Sequence, residues 1–393
     1  MLKLLRKIVF AVQGNYAHRV FACLLMFAFL FLWMQDRHIN HPADLYLTVP
    51  TNYREVVNAH ALETKGKNIP IAVIDSGFQR NHPDYRSNVD VFSHLTDYSG
   101  DHGSSVVSVI TQIAPKCEIY FFNNSDPLIA LERALLSPPR IINMSWSCNY
   151  ETIRFILLRL AKAGKIIVMS AGNDGLELGR DLNTQSLLEI AETPELKGRL
   201  LLVASIEHRQ GREYLSPYSN YAGLERQPLV CAPGSRILAA ASDSRYGLRD
   251  GTSFAAPQVT GLLALLMEEF PYYPPEWYVA LVKDAARKWS GEGSARIDPR
   301  CGHGIINAKD AIVLGRSRQK HYSTLLLKSS IKSAWQDIFM TQKTNWSHSD
   351  SLKSQLRQVL FQENYGSIVL LPYFERQLEN QLDKVQAEPA NKF

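Results

Sequence analysis

Short apolar runs alternate with longer helix-like runs between residues 69 and 315, and this alternation constrains the fold more than any other feature of the sequence. The strand-like runs cover residues 69–74, 118–123, 140–144, 165–170, 200–206 and 229–231. The helix-like runs cover residues 104–113, 127–136, 151–163, 252–269 and 275–288. Chains with this pattern place helices on both faces of one parallel sheet. The sequence therefore predicts an α/β fold in three layers, with a doubly wound, mostly parallel sheet.

Four polar residues lie where predicted strands end or predicted helices begin. Asp75 ends the first strand, His102 precedes the first helix, Asn173 follows a later strand, and Ser253 begins a long apolar helix. Open α/β sheets place their ligand sites at the carboxyl ends of the strands. We therefore expect these four side chains to meet at one edge of the sheet.

Each of the four also has an ordinary structural explanation. Asp75 and Asn173 lie in turns that contain glycine, where both residue types are common, and Ser253 lies where serine often caps a helix. His102 fits as a polar residue at a helix start. A serine hydroxyl is a poor nucleophile unless a base takes its proton, and here an imidazole and a carboxylate accompany the serine. The combination favours a catalytic group over four unrelated turns.

Distinctive sequences surround these residues: A-V-I-D-S-G at 72–77, H-G-S-S-V at 102–106, S-A-G-N at 170–173 and G-T-S-F-A-A-P at 251–257. The segments and their order resemble the subtilisin-like serine proteases, the subtilases of peptidase family S8. Smaller landmarks agree at residues 82–84, 141–145, 218–221, 231–234 and 303–308. The resemblance covers residues 69–315. After the histidine and its glycine, the sequence departs from the one that is more usual in the family.

The resemblance implies a serine endopeptidase that hydrolyses peptide bonds through an acyl-enzyme. Ser253 would attack the scissile carbonyl, and His102 would take its proton and later give it to the leaving amine. Asp75 would fix the histidine tautomer and stabilise the imidazolium. Asn173 would bind the oxyanion together with the backbone N–H of Ser253.

The resemblance also implies that the substrate binds as an added strand between two segments of the site. The residues that would bind it are Ser145, Trp146, Ser147 and Gly172. The bulk of Trp146 predicts restricted rather than open specificity. Asp174, beside the oxyanion residue, would favour a basic or polar residue before the cut, although a solvated turn explains Asp174 equally well.

A protein or peptide is the partner that this chemistry requires. Two other hypotheses stay open: a protease dedicated to one precursor, and a catalytically silent relative that serves as a binding module. The formal net charge of +5 is small for 393 residues, and the basic residues are scattered along the chain. We therefore expect no nucleic-acid partner.

The N-terminal residues 1–34 differ from the rest of the chain. An unbroken apolar run of 15 residues ends there, and four basic residues precede it. The run spans roughly 22 Å as a helix, which crosses a bilayer if the flanks snorkel or the bilayer thins. A cleaved signal peptide has an apolar run of this length, but no small-residue cleavage site follows. We expect a single-pass anchor with the catalytic domain extracytoplasmic (periplasmic in a Gram-negative cell), and secretion after cleavage is the alternative.

Two further segments flank the predicted peptidase domain at 69–315. Residues 35–68 form a connector rich in His, Asn and Pro. This connector is less than half as long as the prodomain that many secreted subtilases carry. Residues 316–393 form a C-terminal extension without a recognised motif, which we interpret as a small module or as a segment that wraps around the catalytic domain.

Four cysteines, Cys117, Cys148, Cys231 and Cys301, lie outside the predicted anchor. Cys117 and Cys231 each adjoin a strand, and we expect both to be buried thiols, since an even count does not establish disulfides. No zinc-binding spacing and no calcium-loop motif occurs, and no cofactor is evident. The resemblance to subtilases allows a structural calcium ion, whose ligands the sequence does not identify.

Overall fold

The computed structural model describes residues 52–60, 62–88, 100–209, 212–223, 228–271, 273–289 and 299–319. The predicted anchor at 1–34, part of the connector and residues 320–393 of the extension lie outside this set. Among the described residues, no helix is both long enough and apolar enough to span a bilayer.

A seven-stranded sheet forms the centre of the domain. Its strands are β1 (Pro70–Asp75), β2 (Glu118–Asn123), β3 (Ile141–Met144), β4 (Ile166–Ser170), β5 (Leu200–Arg209), β6 (Arg212–Leu215) and β7 (Leu229–Pro233). The order is β2-β1-β3-β4-β5, and β5 also pairs in parallel with β7 and antiparallel with β6. All other neighbouring pairs are parallel, so the predicted α/β fold with a mostly parallel sheet is confirmed.

Helices cover both faces of the sheet. They are α1 (Tyr53–Val56), α2 (His102–Ile113), α3 (Pro127–Leu136), α4 (Tyr150–Lys162), α5 (Leu182–Ala191), α6 (Thr252–Glu269) and α7 (Pro275–Asp284), and a further helix covers residues 308–319. The sheet side chains alternate between two apolar clusters. Val73 of β1 belongs to the cluster that includes residues of α2, α6 and α7, whereas Ile74 belongs to the one that includes residues of α3, α4 and α5. This alternation follows from the two-residue period of a strand.

Several elements were absent from the prediction. They are α1, α5, the helix at 308–319, β6, and the antiparallel hairpin of β8 (Ile237–Ala240) and β9 (Tyr246–Arg249). The hairpin packs against α2, the helix that begins at His102. Both strands are only four residues long, and β9 is mixed in composition and partly exposed, so the hairpin lacks the longer apolar runs of most central strands.

Helix α6 is the most deeply buried of the described helices. Its residues are buried from Thr252 to Met267, because the helix packs against α2 and the sheet. A helix that is apolar all round belongs to the interior. The predicted long apolar helix is therefore the central helix of one layer, and its first turn holds Ser253 at the carboxyl edge of the sheet.

The chain closes the domain with residues 301–308. Backbone bonds place this segment beside β7: Cys231 N–H donates to Gly304 O at 2.8 Å, and Ile306 N–H donates to Cys231 O at 3.0 Å. Ala308 N–H then donates to Val57 O at 2.8 Å, which joins the C-terminal end of the domain to its N-terminal end.

The expectation of a buried thiol is wrong for Cys231. This residue forms a disulfide with Cys301, with the two Cα atoms 5.4 Å apart, because the closing segment lies directly beside β7. No local pattern could reveal the pairing, since the two cysteines are separated by 70 residues. Cys117 is a buried free thiol as expected, and Cys148 is a half-buried free thiol.

Replacing both Cys231 and Cys301 by serine should lower the free energy of unfolding by about 4 kcal/mol. The disulfide closes a loop of 70 residues, and such a cross-link restricts the unfolded chain. Urea unfolding of the oxidised catalytic domain would measure the change, with Cys148→Ser as a control that leaves the midpoint nearly unchanged. Equal urea midpoints for the double variant and the wild type would contradict a stabilising disulfide.

Candidate active site

Asp75 and His102 come together because β1 ends where α2 begins. The α2 backbone approaches the turn after β1 closely, since Gly103 N–H donates to Ser76 O at 2.7 Å. A Cβ atom on Gly103 would lie 2.8 Å from this oxygen, which explains the glycine. His102 Nδ1 lies 2.7 Å from Asp75 Oδ1, which also accepts from Ser76 N–H at 2.8 Å.

The side chains of Asp75 and His102 differ in burial. The Asp75 side chain is 1% exposed, whereas the imidazole is 40% exposed. Within the described residues, Asp75 Oδ2 has no hydrogen-bond partner although it is buried. The imidazole is therefore the only side-chain partner of this carboxylate among those residues, and its Nε2 edge is the one directed away from Asp75.

Opposing effects act on the pKa of each group. Burial raises the pKa of Asp75 against the lowering effect of the hydrogen bond and charge of His102. Burial lowers the pKa of His102, but the hydrogen bond and charge of Asp75 raise it more, so the pKa lies above its ordinary value of 6.5. Arg249 lowers the pKa of His102 and Asp101 raises it. These two outer charges pair with each other, Arg249 Nη2 to Asp101 Oδ2, at 2.5 Å.

Ser253 lies in the first turn of α6 and is 9% exposed. Its Oγ donates to the backbone oxygen of Ser145 at 3.0 Å rather than to His102. The next residue, Phe254, has its ring centroid 5.5 Å from that of His102, so the serine and histidine segments are neighbours. Rotation about χ1 is the movement that would turn Oγ from Ser145 towards the imidazole.

Asn173 is oriented by the residue that precedes Ser253. Its Oδ1 accepts from both the backbone N–H and the hydroxyl of Thr252, each at 2.9 Å. Because both of these groups are donors, the side-chain oxygen must face Thr252, and Nδ2 takes the other direction. The amide donor is thus held beside the N-terminus of α6, while the residue remains exposed.

Ser145 and Trp146, two of the predicted substrate-binding residues, follow β3 directly. Ser145 Oγ accepts from Asn143 Nδ2 at 3.0 Å, and Thr260 Oγ1 of α6 donates to Asn143 Oδ1 at 2.8 Å. The Trp146 indole N–H donates to Ile74 O at 2.6 Å, so the ring is anchored to β1 and half-buried. Whether Trp146 also restricts specificity stays a prediction.

The other predicted contacts lie on the same edge of the sheet. Ser147 is exposed beyond Trp146, and Gly172 directly precedes Asn173 with a φ of +104°. Asp174 Oδ2 accepts from Asn220 Nδ2 at 3.3 Å, so this carboxylate has a structural partner besides any role towards substrate.

Thr252, Tyr218 and Asn220 contact the site, although no role was predicted for them. Thr252 lies within the motif G-T-S, and Tyr218 and Asn220 lie in the landmark at 218–221. Their function is visible only in three dimensions, because each hydrogen-bonds to a distant segment of the chain. The motifs were the only signal in the sequence that could have indicated these residues.

The described residues contain no acidic cluster that would identify ligands for the structural calcium ion that the resemblance allows. Among them, no group of three His, Cys, Asp or Glu side chains converges. Asp84, in the landmark at 82–84, accepts instead from neutral donors: Ser108 Oγ and Gln112 Nε2 at its Oδ2, and Tyr246 OH at its Oδ1. Such donors occupy the oxygen positions that a calcium ion would need.

Comparison with known proteins identifies the family. The family model of the subtilases (peptidase S8) matches residues 66–304. The chain is 31% identical over 183 residues to an extracellular serine protease of Serratia marcescens, a match that covers 40% of this chain and 16% of that protein. It is 28% identical over 233 residues to the major intracellular serine protease of Bacillus subtilis (strain 168), covering 51% and 69%.

The fold agrees with this assignment. A lanthipeptide protease of known crystal structure superposes with a TM-score of 0.52 at 21% identity, covering 68% of this chain and 94% of the other. The family model accounts for more than half of the chain, and the curated relatives are named serine proteases. The chain therefore belongs to the subtilase family of subtilisin-like serine endopeptidases.

Proposed function

We propose that Asp75, His102 and Ser253 hydrolyse peptide bonds in proteins or peptides through an acyl-enzyme. The observation that carries the proposal is the 2.7 Å contact between Asp75 Oδ1 and His102 Nδ1 beside the N-terminus of α6. This contact fixes the histidine tautomer with Nε2 available as a base, which is what activation of a serine requires.

The reaction begins when Ser253 Oγ leaves the Ser145 carbonyl and donates to His102 Nε2. As Oγ bonds to the scissile carbon, its proton passes to Nε2, and Asp75 stabilises the imidazolium that results. The carbonyl oxygen becomes an oxyanion, which Asn173 Nδ2 and the Ser253 N–H bind. Collapse breaks the C–N bond, and His102 gives its proton to the leaving amine. Water then hydrolyses the acyl-enzyme by the same steps.

The substrate backbone binds along the segments that follow β3 and β4. These strands are parallel neighbours whose ends pair Met144 with Met169. The residues that follow, Ser145–Ser147 after β3 and Ser170–Gly172 at the end of β4, would then lie on either side of the substrate strand. Main-chain hydrogen bonds give affinity in this mode of binding, and alternate substrate side chains point to the pockets. We propose Ser145, Trp146, Ser147 and Gly172 as the residues that bind the substrate.

We also propose that residues 1–34 anchor the enzyme in a membrane with the peptidase domain on the extracytoplasmic side. The Cys231–Cys301 disulfide supports an oxidising compartment, because structural disulfides are rare in the cytosol. The name of the Serratia marcescens relative is that of an extracellular enzyme, whereas the Bacillus subtilis relative is named as intracellular. The topology therefore needs a direct test.

Ser253→Ala should abolish labelling by a fluorophosphonate and lower kcat by about 10⁶-fold, the loss measured in subtilisin itself. The double variant S253A/H102A should be little worse, because the triad acts as a unit. Ser186→Ala, on the surface helix α5, is the control that leaves labelling and hydrolysis unchanged.

Casein and a peptide library would be the substrates. Hydrolysis of casein indicates a general protease, and labelling without casein hydrolysis indicates a protease with a dedicated precursor. A wild-type protein that neither labels nor cleaves is the silent binding module, and the proposed activity would then be wrong.

The acid limb of the kcat/KM profile should lie above pH 6.5, because His102 must be neutral to act as the base and Asp75 raises its pKa. Activity therefore rises as pH rises through this pKa. Asp75→Asn removes the raising charge, so the limb should move to lower pH while kcat falls by about 10⁴-fold. Arg249→Gln is the matched opposite, since Arg249 lowers the pKa of His102 and its loss should move the limb to higher pH. Limbs that stay in place in both variants would exclude His102 as the titrating base.

The full chain should stay with the membrane fraction after alkaline carbonate extraction, and protease added from the extracytoplasmic side should digest the catalytic domain. The reason is the apolar run at 20–34 with basic residues before it. Deletion of residues 1–34 should release a soluble domain that still labels with fluorophosphonate. A mature N-terminus between residues 30 and 45, with soluble activity, would show a signal peptide instead of an anchor.

A further inference from the structure

The side chain of Asn220 shapes the loop that carries Asn173. It is 2% exposed and uses all of its hydrogen-bonding capacity on this loop. Its Oδ1 accepts from Asp174 N–H and Leu176 N–H, each at 3.0 Å. Its Nδ2 donates to Ala171 O at 3.0 Å and to Asp174 Oδ2 at 3.3 Å. The loop on either side of Asn173 is thus held by one buried amide.

Backbone contacts bring Asn220 and the loop still closer. Asn220 N–H donates to Gly172 O at 3.0 Å, and Gly175 N–H donates to Tyr218 O at 2.7 Å. A Cβ atom on Gly172 would lie 2.4 Å from Asn220 Nδ2, so the loop can reach this side chain only through glycine. The contact accounts for the glycine that precedes Asn173.

The same turn also holds the segment that precedes Ser253. Tyr218 OH accepts from Gly251 N–H at 3.0 Å and donates to Gly234 O at 2.9 Å. The hydroxyl also lies 2.8 Å from Ser235 Oγ and 3.0 Å from Ser205 Oγ, and both serines are buried. We call residues 216–220 the bracing turn. It contacts the loop at 171–176, which we call the oxyanion loop, through Asn220, and it contacts Gly251, in the turn that precedes Ser253, through Tyr218.

We propose that Asn220 and Tyr218 are positioning residues that set the distance between the two oxyanion donors, Asn173 Nδ2 and the Ser253 N–H. The donors belong to different elements, the loop after β4 and the start of α6. Oxyanion donors act only when both lie within hydrogen-bonding distance of one oxygen atom, so the two elements need a common support. Asn173 itself is exposed, so its position depends on the loop that carries it.

The direct contact between Thr252 and Asn173 Oδ1 complements this support. It orients the amide. The Thr252 hydroxyl also accepts from Gly172 N–H at 3.3 Å, which is its single bond to the loop backbone among the described residues. The bracing turn determines the backbone position, because its bonds go to Ala171, Gly172, Asp174 and Leu176 on both sides of Asn173. Thr252 therefore orients the donor, whereas most of the bonds that place the loop backbone come from the bracing turn.

This inference rests on the proposed function, and the test must separate a positioning role from simple stabilisation of the fold. Asn220→Ala should lower kcat by about tenfold and change KM by less than about twofold, because the oxyanion forms only in the transition state. A fluorogenic peptide chosen from a library would be the substrate, and the full-length protein the enzyme.

A double-mutant cycle with Asn173→Ala gives the decisive comparison. If Asn220 acts through Asn173, then Asn220→Ala should lower kcat by less than about threefold once Asn173 is already alanine. Losses that simply multiply in the double variant would overturn the inference, because Asn220 would then act on catalysis independently of Asn173.

Ser219→Ala is the matched control within the bracing turn. Its hydroxyl is equally buried, accepts from Ser205 N–H at 2.8 Å and donates to the backbone oxygen of Asn220 at 2.8 Å, but it contacts neither the loop at 171–176 nor Gly251. This variant should lower the Tm as Asn220→Ala does, yet keep kcat within about twofold of the wild type. A fall in kcat as large as that of Asn220→Ala would indicate that the turn only stabilises the fold and would overturn the inference.

A second pair of variants, in which the charges at positions 220 and 174 are exchanged, tests the inference if Asn220→Ala does not fold. Asn220→Asp places a carboxylate against Asp174 and should lower kcat by about tenfold, and the double variant N220D/D174N restores an amide–carboxylate pair and should recover part of that loss. Tyr218→Phe removes the bond to Gly251 without a change of shape and should lower kcat with KM unchanged. Full kcat in N220D and Tyr218→Phe would overturn the inference, whereas an inactive wild-type enzyme would overturn the proposed function instead.

Discussion

The hydrogen bond between Asp75 and His102 is the contact on which the rest of the site depends. It joins the last residue of β1 to the first residue of α2, so it aligns the sheet with one helical layer. Because the carboxylate is buried and the imidazole is partly exposed, the Asp75 end of the pair faces the core and the His102 end faces the surface. Ser253 on α6 and Asn173 after β4 then complete the group from two further elements of the same layered frame.

Most of the frame could be predicted because buried parallel strands form continuous apolar runs. The runs around Val73 and Val168 are such cases, and polar residues follow each of them at the edge where open sheets bind ligands. Elements at the periphery escaped prediction. Helix α5 and the β8–β9 hairpin have exposed faces and mixed composition, and the Cys231–Cys301 bond depends on a contact between segments 70 residues apart.

The identity of the candidate catalytic residues could be predicted, but their supports could not. Sequence motifs indicated Ser253 and Asn173, because the roles of nucleophile and oxyanion donor are each expected of a particular residue type in these motifs. The partners of these residues are ordinary polar side chains whose role depends on contact with a distant segment. Thr252 contacts Asn173, and Asn220 contacts the loop at 171–176. The rotamer of Ser253, which directs its hydroxyl to the Ser145 carbonyl, likewise has no signature in a linear sequence.

The closing segment beside β7 has a consequence for biosynthesis. The bond from Ala308 to Val57 and the bridge from Ile306 to Cys231 join parts of the chain that leave the ribosome far apart in time. Contacts of such high sequence separation form late in folding, because the loop entropy must be overcome first. A nascent chain that already contains Ser253 still lacks the strand-like segment that borders β7. The packing around β7 therefore becomes complete only after residue 308 has been synthesised.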